Sequence, residues 1–521
     1  MPADHAIPPL NAVRRFARRA IFSLTAALVV AGCSETKAPS SDTPIRIGVP
    51  VIPPAIGNPY QGITVPVTLA LQAIFDTVTT LDSEGNAQPA LALSWEQESP
   101  LSWVLKLRPG VRFSNGEPFN ADALVESAAL MASPQGRGLT IGSTLYQIDS
   151  AEKIDDLTVR VKLNVPDPLL PMHVAVWRVP APKQWKTLKL PEGARDAIGS
   201  GPFVVTARTD GKLALAANPV AWRKPEAKML ELVMIPDATA RLQAFVSGAV
   251  DVAMVLQVDD KAAVAGKGGT LHTRLTPQVD FIGFNTEGRN TPLADPRVRL
   301  ALNMAVNRQM LTTAILRDST VPTGQLSVPG AFGYKAALKP IPYDPAGARK
   351  LLADAGHGSG LKLVMAAVAG EVAGDTVYLQ QIATDLKAVG VDVEIRRMPS
   401  TREMQDLFKG KLDADLFTWV TRGTDPLIDY RYRACLRPSP ARMPFHCEPA
   451  LTALVGKAQD ESDLGKRRAL YAQAAAYERE RPAGIMLWQR PDFDAVASGI
   501  VGYAPVQDIL NLDRLKRTPR P

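Results

Sequence analysis

The side chains that could do chemistry are few in this chain, and their spacing excludes most catalysis. His173, His272, His357 and His446 form neither an HxH nor an HExxH pattern, so a metal ion would need ligands gathered from scattered positions. No GxSxG elbow, Walker loop or glycine-rich dinucleotide turn is found in a strand-to-helix setting. Carboxylates are plentiful, but a glycosidase needs two placed in space. These patterns supply no recognised catalytic motif, and no cofactor and no metal is expected. Three groups suit a binding site or its support. Arg422, in the loop Thr421-Arg422-Gly423-Thr424-Asp425-Pro426, offers a planar fork suited to carboxylate or phosphate. Trp419 and Trp488 offer aromatic faces that bury area against a solute at little entropic cost, with core packing as the competing role. Cys435 and Cys447 lie in the single segment ACLRPSPARMPFHC.

Cys33 stands apart from that pair. Arg14, Arg15, Arg18 and Arg19 precede an apolar run from Ala20 to Ala31 that is too short to span a bilayer as a helix. The run ends in Val30-Ala31-Gly32-Cys33, a pattern that resembles a lipobox, whose cysteine thiol receives diacylglycerol. Residues 1–32 read as a signal peptide, by the general secretory or the twin-arginine route, and residues 33–44 as a lipid-anchored flexible tether rich in Ser, Thr and Pro. The expected location is the periplasm or the outer face of the cell membrane. In an exported chain an even pair of cysteines most often closes a disulfide. Here the short loop would give about 3 kcal/mol. The formal charge of +7 includes a net +3 in residues 1–32, so the mature chain is weakly basic. Its charges alternate in sign without a basic block interleaved with aromatics, so nucleic-acid binding is not expected.

These groups need a scaffold. Trp103–Arg108 and Leu157–Leu163 alternate as half-buried strands, and Asn120 caps an alanine-rich helix between them. Asp295-Pro296 and Asp344-Pro345 each carry the cap and first-turn residues of a helix, the second closing at Gly356. Residues 361–426 read as strand, helix (375–389), strand (391–395), a short helix opened by the capping box Ser400-Thr-Arg-Glu403, and the strand Ala414–Val420. Such a β-α-β-α-β unit builds a parallel sheet whose ligands bind beyond the carboxyl ends of the strands, where the Thr421–Pro426 loop falls.

Several segments in order carry a resemblance: Pro89–Trp95, LKLRPGVRFSNGEPFNADALV (105–125), GSGPF (199–203), FIGFNT (281–286), DPRVRLALNMAVNR (295–308) and YDPAGARKLLADAG (343–356). Together they resemble the extracellular solute-binding proteins that serve peptide and nickel importers of the ABC type. The resemblance implies a mixed α/β, two-lobed periplasmic-binding-protein-like fold with an extra domain inserted in the first lobe. By analogy the first lobe comprises 45–79, 198–276 and 489–521, the insertion 80–197 and the second lobe 277–488, with two strands crossing the hinge. It implies a monomer that captures a small-molecule or peptide solute and delivers it to the permease and ATPase subunits of an importer, and it supports the Cys435–Cys447 bridge. The rival readings are an exported hydrolase and a structural envelope lipoprotein.

By the same resemblance the ligand-binding residues are Tyr60, in the Pro- and Gly-rich loop after the first strand, with Trp419, Thr421, Arg422, Asp425 and Trp488. One departure bears on the solute. Peptide-binding relatives place an aspartate three residues after the tryptophan equivalent to Trp419, where it pairs with the ligand's α-ammonium group; this chain has Arg422 there. A guanidinium repels an ammonium and invites an anion. An internal ion pair of Arg422 with Asp425 or Asp429 is the competing role.

Overall fold

A computed structural model describes residues 43–62, 65–183, 197–368, 374–398, 406–407, 409–421, 425–433, 435, 445–506 and 508–518. Cys33, the tether to residue 42, the 400–403 capping box and Arg422 lie outside the described residues. Among the described residues the first strand is Ile45–Val49, in the apolar sequence that follows the expected tether.

One ten-stranded mixed sheet organises the molecule. Two of its strands, Gly269–Phe284 and Gly484–Ala497, pair antiparallel along most of their length. On one side the pair continues through Val252–Ala253, Ile45–Val49, Met229–Met234, Lys212–Ala217 and Phe203–Arg208. On the other it continues through Leu416–Val420, Leu361–Val368 and Val391–Met398. The register of the long pair shifts between Leu275 and Val279. This interruption brings Thr276, Pro277 and Gln278 out of the ladder, and proline there fits because it has no N–H to contribute.

The expected β-α-β order is observed. Leu361–Val368 pairs parallel with both Val391–Met398 and Leu416–Val420, and the intervening helix is Asp375–Ala388. Leu416–Val420 is antiparallel to Gly269–Phe284, which makes the sheet mixed. The predicted caps also hold: Asn120 accepts from the Ala123 N–H, Asp295 from Arg297 and Asp344 from Gly347. Within 80–197 a separate four-stranded antiparallel sheet, in the order Ala92–Ser99, Ser102–Leu107, Thr158–Leu163 and Ile148–Asp155, packs against the helix Ala121–Ala132 around Leu105, Phe113, Leu124 and Trp177. The large sheet has its own apolar cores, one around Ile47, Leu69 and Leu232 and others around Phe417 and around Leu302 and Ile382. Cys435 and Cys447 form the expected disulfide, with their Cα atoms 5.1 Å apart.

Candidate functional site

A cavity of about 730 Å³ opens where the long strand pair is interrupted. Pro277 and Gln278 of the bulge line it. The first side of the large sheet contributes Gln72 and Asp76 at the end of the helix Val65–Ile74, Trp222 and Arg223, and the C-terminal segment Val506–Arg514. The 80–197 segment contributes Thr80 to Asp82 and the stretch from Met172 to Arg178. Asp425 and Ile428, beyond the carboxyl end of Leu416–Val420, close the other side. A volume of this size suits a small solute.

The walls are fixed by ion pairs. Arg223 bridges Asp76 at 2.7 Å and Asp513 at 2.6 Å, and these carboxylates more than offset the burial that would lower its pKa, which is raised. Asp76 also accepts from Ser200 and from the Trp222 indole N–H, while Arg108 covers the Trp222 ring at 4.1 Å from its centroid. Trp222 is thus held rigidly. On the opposite wall Asp508 meets Arg274 at 3.1 Å. Desolvation outweighs that attraction and pushes its carboxyl up to about 6.

A third, buried chain of charges joins the 80–197 segment to the loop after Leu416–Val420. His173 Nδ1 lies 2.7 Å from Asp167, its Nε2 lies 3.4 Å from Asp425, and Asp425 lies 3.3 Å from Arg467. The Nε2 contact is an ion pair, not a well-directed hydrogen bond. Burial by itself would lower the His173 pKa, yet the two flanking carboxylates hold it up, to about 10. Burial would likewise raise Asp425, but His173 and Arg467 pull it down to about 2. The imidazolium therefore ties two parts of the cavity wall together.

Of the six residues singled out for ligand, Asp425 is the one that lines this cavity among the described residues. Tyr60 is fully buried, with its hydroxyl 2.5 Å from Ser127 inside the core of the 80–197 segment. Trp419 packs edge-on to Phe417 and beside Phe445. Thr421 accepts the Val279 N–H at 2.7 Å and returns its own N–H to Val279, which splices two strands. Trp488 is fully buried, donates to Asp280 at 3.1 Å and stands perpendicular to Tyr378. None of these four lines the cavity; each is buried in the interior. Trp222, Arg223, Asp76, His173 and Arg178 were not singled out from sequence. The available signal was charge in an apolar setting: Arg178 is the one charged residue in Val174–Pro182 (VAVWRVPAP).

Comparison with known proteins agrees with the architecture. The family model for bacterial extracellular solute-binding proteins, family 5 (middle), matches residues 86–433. A di/tripeptide-binding protein of Pseudomonas aeruginosa is 27% identical over 80% of this chain and 83% of its own length. The nickel-binding periplasmic protein of Escherichia coli is 24% identical over 96% and 98%. The structure of NikA from Brucella suis in complex with Fe(III)-EDTA superposes with a TM-score of 0.80 over 92% of this chain and 100% of that one, at 22% identity.

Proposed function

Because this chain belongs to the bacterial extracellular solute-binding proteins of family 5, we propose that it is held outside the cell membrane by lipid on Cys33 and passes a solute from the interrupted-strand cavity to the permease and ATPase of an ABC importer. It is a binding protein and not an enzyme. The observation that carries the reading is the cavity itself, walled from both sides of the large sheet at the point where its two long strands break register. Closure about those strands would enclose a solute, and only a solute that touches both sides stabilises the closed form. The proposed lobes are the first at 45–79, 198–276 and 489–521, the insertion at 80–197 and the second at 277–488.

The relatives' names point to di- and tripeptides and to nickel. Within that range we favour a solute with a carboxylate or phosphate, because Arg422 stands where an ammonium-pairing aspartate is usual. Native mass spectrometry of the freshly purified protein tests the reading, since an enclosed solute survives purification. The expected result is a discrete small molecule retained at one per chain. An empty protein with no response to any small solute would defeat the proposal. Arg422→Ala should weaken binding of that molecule about tenfold or more, the scale of a lost charged hydrogen bond; unchanged affinity would assign Arg422 to an internal ion pair.

A further inference from the structure

Among the described residues eight arginines are buried to 8% exposure or less, and seven have their charge met. Arg274 has three aspartates, Arg467 has Asp425, Arg433 has Glu478, and Arg490 lies near Asp280 and Asp492. Arg299 combines Glu448 with three backbone carbonyls. Arg241 and Arg308 lack a carboxylate, but each makes four hydrogen bonds to carbonyl oxygens. Arg178 is the exception. At 3% exposure it makes one side-chain hydrogen bond, from Nη1 to the Pro59 carbonyl at 3.0 Å, and its Nε has no partner.

Arg178 lines the cavity, where every carboxylate among the described residues is already engaged. Asp76 and Asp513 hold Arg223, Asp425 holds His173 and Arg467, and Asp508 holds Arg274. Asp82 accepts from the N–H groups of Glu84 and Asn86 and the amide of Gln88. Among the described residues the buried lining therefore offers an ammonium no free carboxylate, and offers an anion one guanidinium without a counter-charge. A charge left so is costly, and a partner that supplies the missing one recovers the loss. Its pKa is lowered to about 10 by burial, with no carboxylate opposing the shift.

We propose that Arg178 receives an anionic group of the solute, a carboxylate or a phosphate, side-on through Nε and Nη2, while Nη1 remains on Pro59. The proposal rests on the cavity being the solute site, and it does not depend on Arg422. The fork geometry favours a planar carboxylate or two phosphate oxygens.

The test compares wild type, Arg178→Met and Arg178→Lys by thermal shift and calorimetric titration, with dialanine, dialaninamide, citrate and inorganic phosphate as probes, and by native mass spectrometry for any retained solute. A carboxylate probe or phosphate should raise the wild-type melting temperature, and its affinity should fall about tenfold or more in Arg178→Met, with partial recovery in Arg178→Lys. Whether citrate and dialanine or phosphate respond identifies the anion. Emptied of solute, Arg178→Met should melt no lower than wild type, because it loses a lone buried charge; a purely structural arginine would lower it. Equal probe affinity in wild type and Arg178→Met overturns the assignment while leaving the cavity reading intact. So does a preference for dialaninamide over dialanine, or a retained solute without an acidic group. If Arg178→Met fails to fold, the Arg178→Lys affinities decide by the same criteria. No retained solute and no response to any probe would defeat the cavity reading, and this assignment with it.

Discussion

His173 sits between Asp167 and Asp425 with its pKa raised to about 10. Its ordinary value near 6.5 governs the unfolded chain. The stability it contributes is therefore complete below about pH 6.5 and is lost as pH rises through 10. Asp425, held down at about 2, acts oppositely: its contribution is present above the ordinary carboxylate range near 4 and is lost as pH falls through 2. Replacing one partner of a buried pair leaves the others uncompensated, so His173→Gln should cost about 3 kcal/mol at pH 7. Denaturant unfolding between pH 6 and 10 checks this. The wild type should lose stability across that range and converge on the variant, and parallel curves would show that His173 is not the imidazolium that joins the two walls.

At the scale of elements, the short motif GSGPF has a packing reason. A side-chain carbon added at Gly199 would run into the Ile74 backbone carbonyl, and one at Gly201 would meet the same peptide. The glycines allow the segment before Phe203–Arg208 to lie on the end of the helix Val65–Ile74, and so set Asp76 against Ser200 and Arg223. Gly199→Ala should destabilise by about 2 kcal/mol, the scale of overpacking, read as a lower denaturant midpoint with an unchanged slope. A variant as stable as wild type would mean that the backbones separate freely. Strands and helices of this chain were legible where local chemistry fixes them. Alternation marked Ser102–Leu107 and Thr158–Leu163, and Asp-Pro pairs marked two helix starts. The bulge at Thr276–Gln278 was not legible, because a register shift depends on a partner strand 214 residues away.

At the scale of the whole molecule, the proposed function combines a solute cavity with a lipid anchor. If lipid on Cys33 holds the chain, Cys33→Ser should move it from the membrane fraction to the soluble fraction without changing its melting temperature or its solute. Membrane fractionation reads this directly, and a variant that stays with membranes would remove the anchor from the proposal. Such a tether would keep a loaded protein at high effective concentration near its importer without restraining closure.

Sequence alone determined the β-α-β order of 361–420, the strands and helix starts marked by alternation and caps, and the family resemblance that with the even cysteine pair led to the expectation of the disulfide, because periodicity, caps and motifs are local properties of the chain. The tertiary structure decided which groups face the cavity. The aromatic residues Tyr60 and Trp488 went to the interior, where their polar tips found Ser127 and Asp280. Arg178, one charge in an apolar run, reached the cavity wall with a single carbonyl for company. Whether a charged group is spent on its neighbours or left for a solute depends on partners brought from distant segments, and only folding assembles them.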